Sequence, residues 1–410
     1  MKTFEKKLDD YAKLIIKIGL NVQKGQDLII TAPISAIEFI RMITKEAYLY
    51  GAKEIYYRWY DDELSLIRYT NAPDSAFDSF PSWVSDGYTK VAKEGAAILS
   101  VFVSDPELLK DVNPDKIKRD TITKSNAFKE YKDHIMNGSN NWCVVSVPSL
   151  PWAKSIFKDG TSEEKIEKLW NTIFEINRIN FDDPIKAWND HFNKLENFKI
   201  CLNKKQFTKL HYKGSDTDLT VELPKGHIWQ GGNEKTNSGL VFAANIPTEE
   251  VFSMPHKYGV NGVLSSTMPL EYNGTIIDNF KFHFENGKVI NFEADKGYET
   301  LKNLLDSDEN SRYLGEVAIV PISSPIYKTG LVFYNTLYDE NASCHFALGS
   351  AYPNCIKNGE TMSAKERDEN GVNESIIHVD FMIGNDKLNI DGETETGKLI
   401  PIFRNGEWVI

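Results

Sequence analysis

The hydrophobic period of this 410-residue chain changes once, near residue 198, and that single change limits it to a fold of two unlike halves. A chain of this length also exceeds what one ordinary core organises. Before the change, strand-length apolar runs alternate with segments whose apolar residues recur every three or four positions. Phe4, Leu8, Tyr11, Ile15 and Ile18 mark an amphipathic helix, closed by the break at Gly25. Strands are expected at 27–31, 54–60, 96–103 and 142–147, and helices at 35–50, ending on Gly51, and near 83–93. Strand–helix alternation of this kind predicts a largely parallel sheet covered by helices, a Rossmann-like α/β layer. Neither a GxGxxG turn nor a GxxxxGK[ST] loop occurs, so this half is expected to be scaffold.

Two further helices, 164–180 and 184–195, lead into the second texture. Residues 209–213, 218–223, 279–284 and 289–293 alternate apolar with polar, the pattern of strands with one buried face. Between two of them Asn286-Gly287 predicts a type I′ hairpin turn, because both residues tolerate positive φ. One helix is expected near 297–305. The reading is therefore an α/β scaffold domain over 1–197 and a mostly antiparallel, β-rich domain over 198–410, α/β plus α+β in class, with the second domain carrying the candidate ligands.

Lys and Arg total 47 against 59 Asp and Glu, a net charge of −12 that repels phosphate backbones and anionic lipid, so neither nucleic acid nor membrane is an expected partner. No stretch of about 18 apolar residues is present. The first twenty residues carry charges through their apolar positions, unlike a signal peptide. Cys143, Cys201, Cys344 and Cys355 form no CxxC pair, which suits a reducing compartment, and a cytoplasmic location is expected. The sequons at Asn137 and Asn273 are then chance matches.

Four of the eight histidines, His134, His191, His211 and His283, sit in surface-like positions. His378 and Asp380 differ: two residues apart in the apolar segment 375–383, they share one face of a strand. Burying both costs free energy unless something pairs with them, either each other or a cation. Glu340 and His345 lie close together in a second segment that runs on to Tyr352; a solvated turn and a core aromatic are the alternatives. Glu316 stands at the mouth of an apolar strand, and Glu250 follows Glu249 just before another, each equally readable as a solvated strand end. No HExxH, GxSxG or CxxC…CxxC motif occurs, and the calcium-loop start at Asp306 lacks its Gly and Glu. Cys344 would face away from His345.

In this order, 246–252, 313–318, Leu337-Tyr-Asp-Glu-Asn-Ala-Ser-Cys-His345 and His378-Val-Asp380 resemble the aminopeptidase T/aminopeptidase S/PepS family of metallopeptidases, as does the run 11–26. The likeness spans essentially the whole chain, and the 337–345 block is its most specific part. It implies a two-metal site with Glu250, Glu316, Glu340, His345, His378 and Asp380 as ligands, Glu316 as bridge, and Tyr352, Glu250 and Glu316 as catalytic groups. Such ligands suit two divalent ions drawn from Zn, Co, Mn or Mg, which activate water and polarise a carbonyl. The implied reaction is hydrolysis of the N-terminal peptide bond of short peptides with a free N-terminus, by a homodimer whose sites open into an enclosed cavity. A dipeptidase of similar chemistry, or a non-catalytic two-domain protein that binds metal or a small ligand, are the rival readings.

Overall fold

The computed structural model describes residues 2–103, 105, 107–272 and 275–410; Asn273 of the second sequon lies outside them. The chain divides into two compact units, residues 1–190 with 233–247, and residues 191–232 with 248–410.

In the first unit, Thr3 accepts the Lys6 N–H to start the helix Phe4–Leu14, which continues as one π-helical turn, Ile15–Gly19. Tyr11 and Ile15 are fully buried, as the spacing predicts. Gly19 permits close packing on the sheet, since a Cβ there would sit 2.8 Å from Cys143 Sγ. Four strands, β1 (Leu28–Pro33), β2 (Ile55–Tyr60), β3 (Ala97–Phe102) and β4 (Trp142–Ser146), pair in the order β2-β1-β3-β4, all parallel. The helix Ile37–Tyr50 between β1 and β2 stops at Gly51, whose φ of +111° only glycine adopts freely. A fifth parallel strand was not foreseen: Asn245–Ile246, a hundred residues downstream, joins β4. The helix expected to end at Leu195 also runs on to Lys205.

The second unit holds two antiparallel sheets. The larger has nine strands, running Leu270–Tyr272, Thr275–Glu285, Val260–Ser265, Asp218–Glu222, Lys209–Lys213, Asn389–Glu393, Leu399–Arg404 and Glu407–Trp408, with Lys288–Lys296 also paired to Thr275–Glu285. The Asn286-Gly287 turn has φ values of +49° and +81°, the type I′ signature. The smaller sheet orders β5 (Val251–Ser253), β6 (Leu314–Ile319), β7 (His345–Gly349) and β8 (His378–Met382). Its one face is aromatic: Phe346 packs on Tyr212 at 5.2 Å and Phe381 on Phe282 at 5.3 Å between ring centroids, so that face closes on the larger sheet. Strand alternation then sends the neighbouring side chains to the opposite face.

Candidate metal centre

The opposite face carries the predicted residues in register. Glu316 on β6 pairs with Ala347 on β7, which pairs with Asp380 on β8, so two carboxylates flank one methyl group across three strands. One step along, Ala318, His345 and Met382 form the next row, and Gly349 opposes His378 in the other direction. Alanine and glycine between acids and imidazoles leave a hollow where larger side chains would stand. A β-bulge between Leu314 and Glu316 aims the glutamate; the bulged residue is Gly315, where a Cβ would collide with the backbone oxygens of Gly349 and Ser350.

Six predicted ligands divide by position. Glu250, Glu316 and His345 offer ligand atoms all within 4.8 Å of one another, and so do Glu316, His378 and Asp380. Glu316 belongs to both groups. Its Oε1 lies 3.6 Å from His345 Nε2 and its Oε2 lies 3.5 Å from His378 Nε2. His378 Nε2 is also 3.5 Å from Asp380 Oδ1. Glu340, half-buried at the end of the helix Thr336–Asp339, joins neither triplet, yet burial and the charges of Asp380 and Glu250 hold its carboxyl well above the usual range. Tyr352 lies with its ring 4.9 Å from that of His378 and 5.9 Å from that of Phe252.

The two imidazoles are oriented alike. His345 Nδ1–H donates to the Ser343 carbonyl at 3.2 Å and His378 Nδ1–H to the Ser350 carbonyl at 2.7 Å, which turns both Nε2 lone pairs toward the carboxylates. Imidazoles that ligate metals are anchored in this way. Glu250 Oε2, in contrast, is buried 3.2 Å from His345 Nε2 with no hydrogen bond of its own. A buried, orphaned carboxylate oxygen is costly unless a cation meets it. Without a cation, desolvation and then the charges of Glu250 and Asp380 push Glu316 up to about 7, against the pull of the His345 imidazole beside it. His378 rises to about 9, because Asp380 and Glu316 outweigh the desolvation that opposes its charging. Four carboxylates and two neutral imidazoles carry a charge that two divalent ions cancel. Donor chemistry, orientation and charge therefore all fit metal.

Two contributors escaped sequence reasoning. Asn341, fully buried, accepts the Glu249 N–H at 2.7 Å and donates to the Leu337 carbonyl at 3.0 Å, tying the segment before Glu250 to the turn that carries Glu340. His191, expected at the surface, is instead mostly buried, with Nε2 2.8 Å from the Thr248 carbonyl and 3.5 Å from Glu249. Asp339 is the buried member of its acidic pair, accepting the Phe333 and Asn335 N–H groups. Cys344 faces away from the cluster as expected, its thiol held by the Val320 carbonyl and pushed by burial up to about 12.

Comparison with known proteins places this geometry in context. A family model described as thermophilic metalloprotease (M29) matches residues 4–408. Aminopeptidase 2 of Geobacillus stearothermophilus is 49% identical over 408 residues, covering 100% of this chain and 99% of that protein. Aminopeptidase AmpS of Bacillus subtilis (strain 168) is 46% identical over 408 residues, with 100% of both covered. The solved structure of wild-type AmpT from Thermus thermophilus superimposes with a TM-score of 0.94 at 40% identity, covering 100% of each chain.

Proposed function

This chain belongs to the thermophilic metalloprotease (M29) family, and from that membership we propose a two-ion site in which Glu316 is the shared ligand. The chain is a metal-dependent aminopeptidase. In the proposed arrangement Glu250 and His345 hold one ion, His378 and Asp380 hold the other, and Glu340 completes the shell. The reading rests on one observation above the rest: the two oxygens of Glu316 face two different imidazoles, at 3.6 and 3.5 Å.

Divalent ions supply Lewis acidity, which polarises a scissile carbonyl and makes water a competent nucleophile near neutral pH. The oxygen-rich donor set with two imidazoles suits Zn, Co, Mn or Mg. The chain's own residues do the rest. Ser343 and Ser350 carbonyls fix the imidazole tautomers, and Ala347 with Gly349 keeps the hollow open. Tyr352 is 37% exposed, and desolvation followed by the charges of Glu316 and Asp380 raises its pKa well above the usual range. Its phenol therefore stays protonated at neutral pH and serves as a hydrogen-bond donor to the developing oxyanion.

We assign catalysis to the β-rich half, 198–410, and scaffolding to 1–197. The substrates are short peptides with a free N-terminus, cleaved by a cytoplasmic homodimer whose sites open into an enclosed cavity. Metal analysis of the dialysed protein, with hydrolysis of leucyl and alanyl anilides measured with chelator and with added Co or Zn, tests the site. Two ions per chain and chelator-sensitive release are expected; a single ion in the fully active protein overturns the shared-ligand reading. Rapid cleavage of an N-acetylated peptide would contradict recognition of a free N-terminus. A tripeptide product profile separates the aminopeptidase from a dipeptidase.

A further inference from the structure

Far from the carboxylates in sequence, the first unit holds a cationic cavity that the peptidase chemistry does not use. Arg58 stands in the carboxyl half of β2, the edge strand of the parallel sheet. Its guanidinium lies 4.3 Å from the centroid of the Phe128 ring, with Tyr88 at 6.0 Å. Among the described residues no carboxylate pairs with it; burial lowers its pKa, and only Tyr131 and Tyr88 act in the opposite sense. An arginine in a partly desolvated setting ordinarily keeps a carboxylate or phosphate close, since its planar fork of donors is made for one.

The cavity that Arg58 lines measures about 310 Å³ and is walled by the helices Pro114–Ala127 and Lys129–Met136, which contribute Lys124, Ser125 and Lys132. One acid, Asp120, also lines it, and its charge is already engaged. Arg68 reaches it at 2.8 Å, Lys124 at 2.7 Å and the Tyr69 hydroxyl at 2.7 Å. With Asp120 matched by Arg68 and Lys124, Arg58 and Lys132 have no counter-charge of their own in the cavity among the described residues. Among the described residues, Lys132 Nζ donates to the Ser125 hydroxyl at 3.5 Å and forms no ion pair.

We propose that this cavity binds a small multivalent oxyanion of the phosphate class, gripped by the Arg58 fork and flanked by Lys132, with the Ser125 hydroxyl as a further donor. Such a site is built from side chains on a strand and two helices, so it leaves no glycine-loop motif in the sequence. Carboxyl ends of parallel strands are where ligands of α/β sheets gather. Aromatic walls at Phe128 and Tyr131 leave two sources for the anion, free phosphate or a phosphate ester bearing a ring.

The test is calorimetric titration of the full-length, metal-loaded protein with inorganic phosphate and, separately, phenyl phosphate, each at ionic strength matched with chloride. Saturable binding is expected, weakened about tenfold or more in Arg58→Gln, as loss of a charge-assisted fork implies, and several-fold in Lys132→Gln. Anilide hydrolysis should be unchanged in both. Lys132 is exposed, so its variant keeps the test decisive if Arg58→Gln fails to fold. Tighter binding of phenyl phosphate identifies an ester as the ligand, and equal or tighter binding of inorganic phosphate identifies the free ion. No binding above the chloride control overturns the proposal. So does binding that Lys132→Gln and a folded Arg58→Gln leave intact, since the anion would then sit elsewhere, the metal centre included.

Discussion

Asn341→Ala should loosen both arms of the metal centre at once. The side chain is fully buried and its two ends are both spent, on the Glu249 N–H at 2.7 Å and the Leu337 carbonyl at 3.0 Å. Truncation leaves two polar groups facing a small void, and each unsatisfied buried group costs about 1–3 kcal/mol. The sum, about 2–6 kcal/mol, is a large share of the roughly 5–15 kcal/mol that separates folded from unfolded domains. Because Glu250 directly follows Glu249, the loss should appear in ion affinity as well as in unfolding. Guanidinium unfolding of the metal-free protein and a competitive metal titration measure the two effects separately. Asn341→Asp provides the control: it keeps an acceptor for the Glu249 N–H, but it sets a second charge where the amide now lies 3.3 Å from Glu340 Oε1. It should stabilise the segment better than alanine only once ions are bound. If Asn341→Ala unfolds at the parent's midpoint and binds ions as tightly, the tie between the two arms carries no free energy and the reasoning fails.

Tyr352→Phe should lower turnover by about 10²- to 10³-fold, the usual worth of one oxyanion donor, while metal content stays at the parent level; lost metal would reassign Tyr352 to holding the shell. Gly315→Ala should destabilise the protein and deplete its metal together, because a methyl group at the bulge strikes the Gly349 and Ser350 carbonyls; thermal melting and metal analysis check it, and a variant with parent-like melting refutes the bulge's role. The metal-free protein should weaken as pH rises. Glu316 at about 7 and His378 at about 9 both stand above their usual values of 4.5 and 6.5. Their contributions are thus complete at acid pH and lost as pH climbs through those folded values, while Asp380, held low beside His378, matters only below that window. Urea midpoints of chelator-treated protein at pH 5, 7 and 9 should fall in that order, and ion affinity should rise as the same protons leave; midpoints that climb with pH contradict this.

Much of the fold was legible because it is written locally. Helix Ile37–Tyr50 ends on the predicted Gly51, and the Asn286-Gly287 turn has the predicted φ signs, since both depend on residues adjacent in sequence. His378 and Asp380 were placed on one face by strand alternation alone, and register then set Asp380 level with Glu316 through Ala347. What remained hidden depends on long-range partners. Nothing near Asn245 announces a strand that will pair with Val144, and His191 looks like a helix-surface histidine until Thr248 is laid against it. Asn341 is an unremarked amide between Glu340 and Ala342 until its partner at position 249 is known.

Three strands hydrogen-bonded side by side deliver Glu316, His345, His378 and Asp380, whereas Glu250 arrives from the segment ahead of an edge strand and Glu340 from the end of a short helix. The cage is therefore stiff on one side and compliant on the other. Interstrand spacing works as a fixed gauge for the sheet-borne ligands, and the proposed site would adapt to cations of different radius chiefly through Glu250 and Glu340, which the sheet does not hold. On the proposed two-ion reading, replacing one divalent ion by another would reset these two glutamates and leave the sheet as it is.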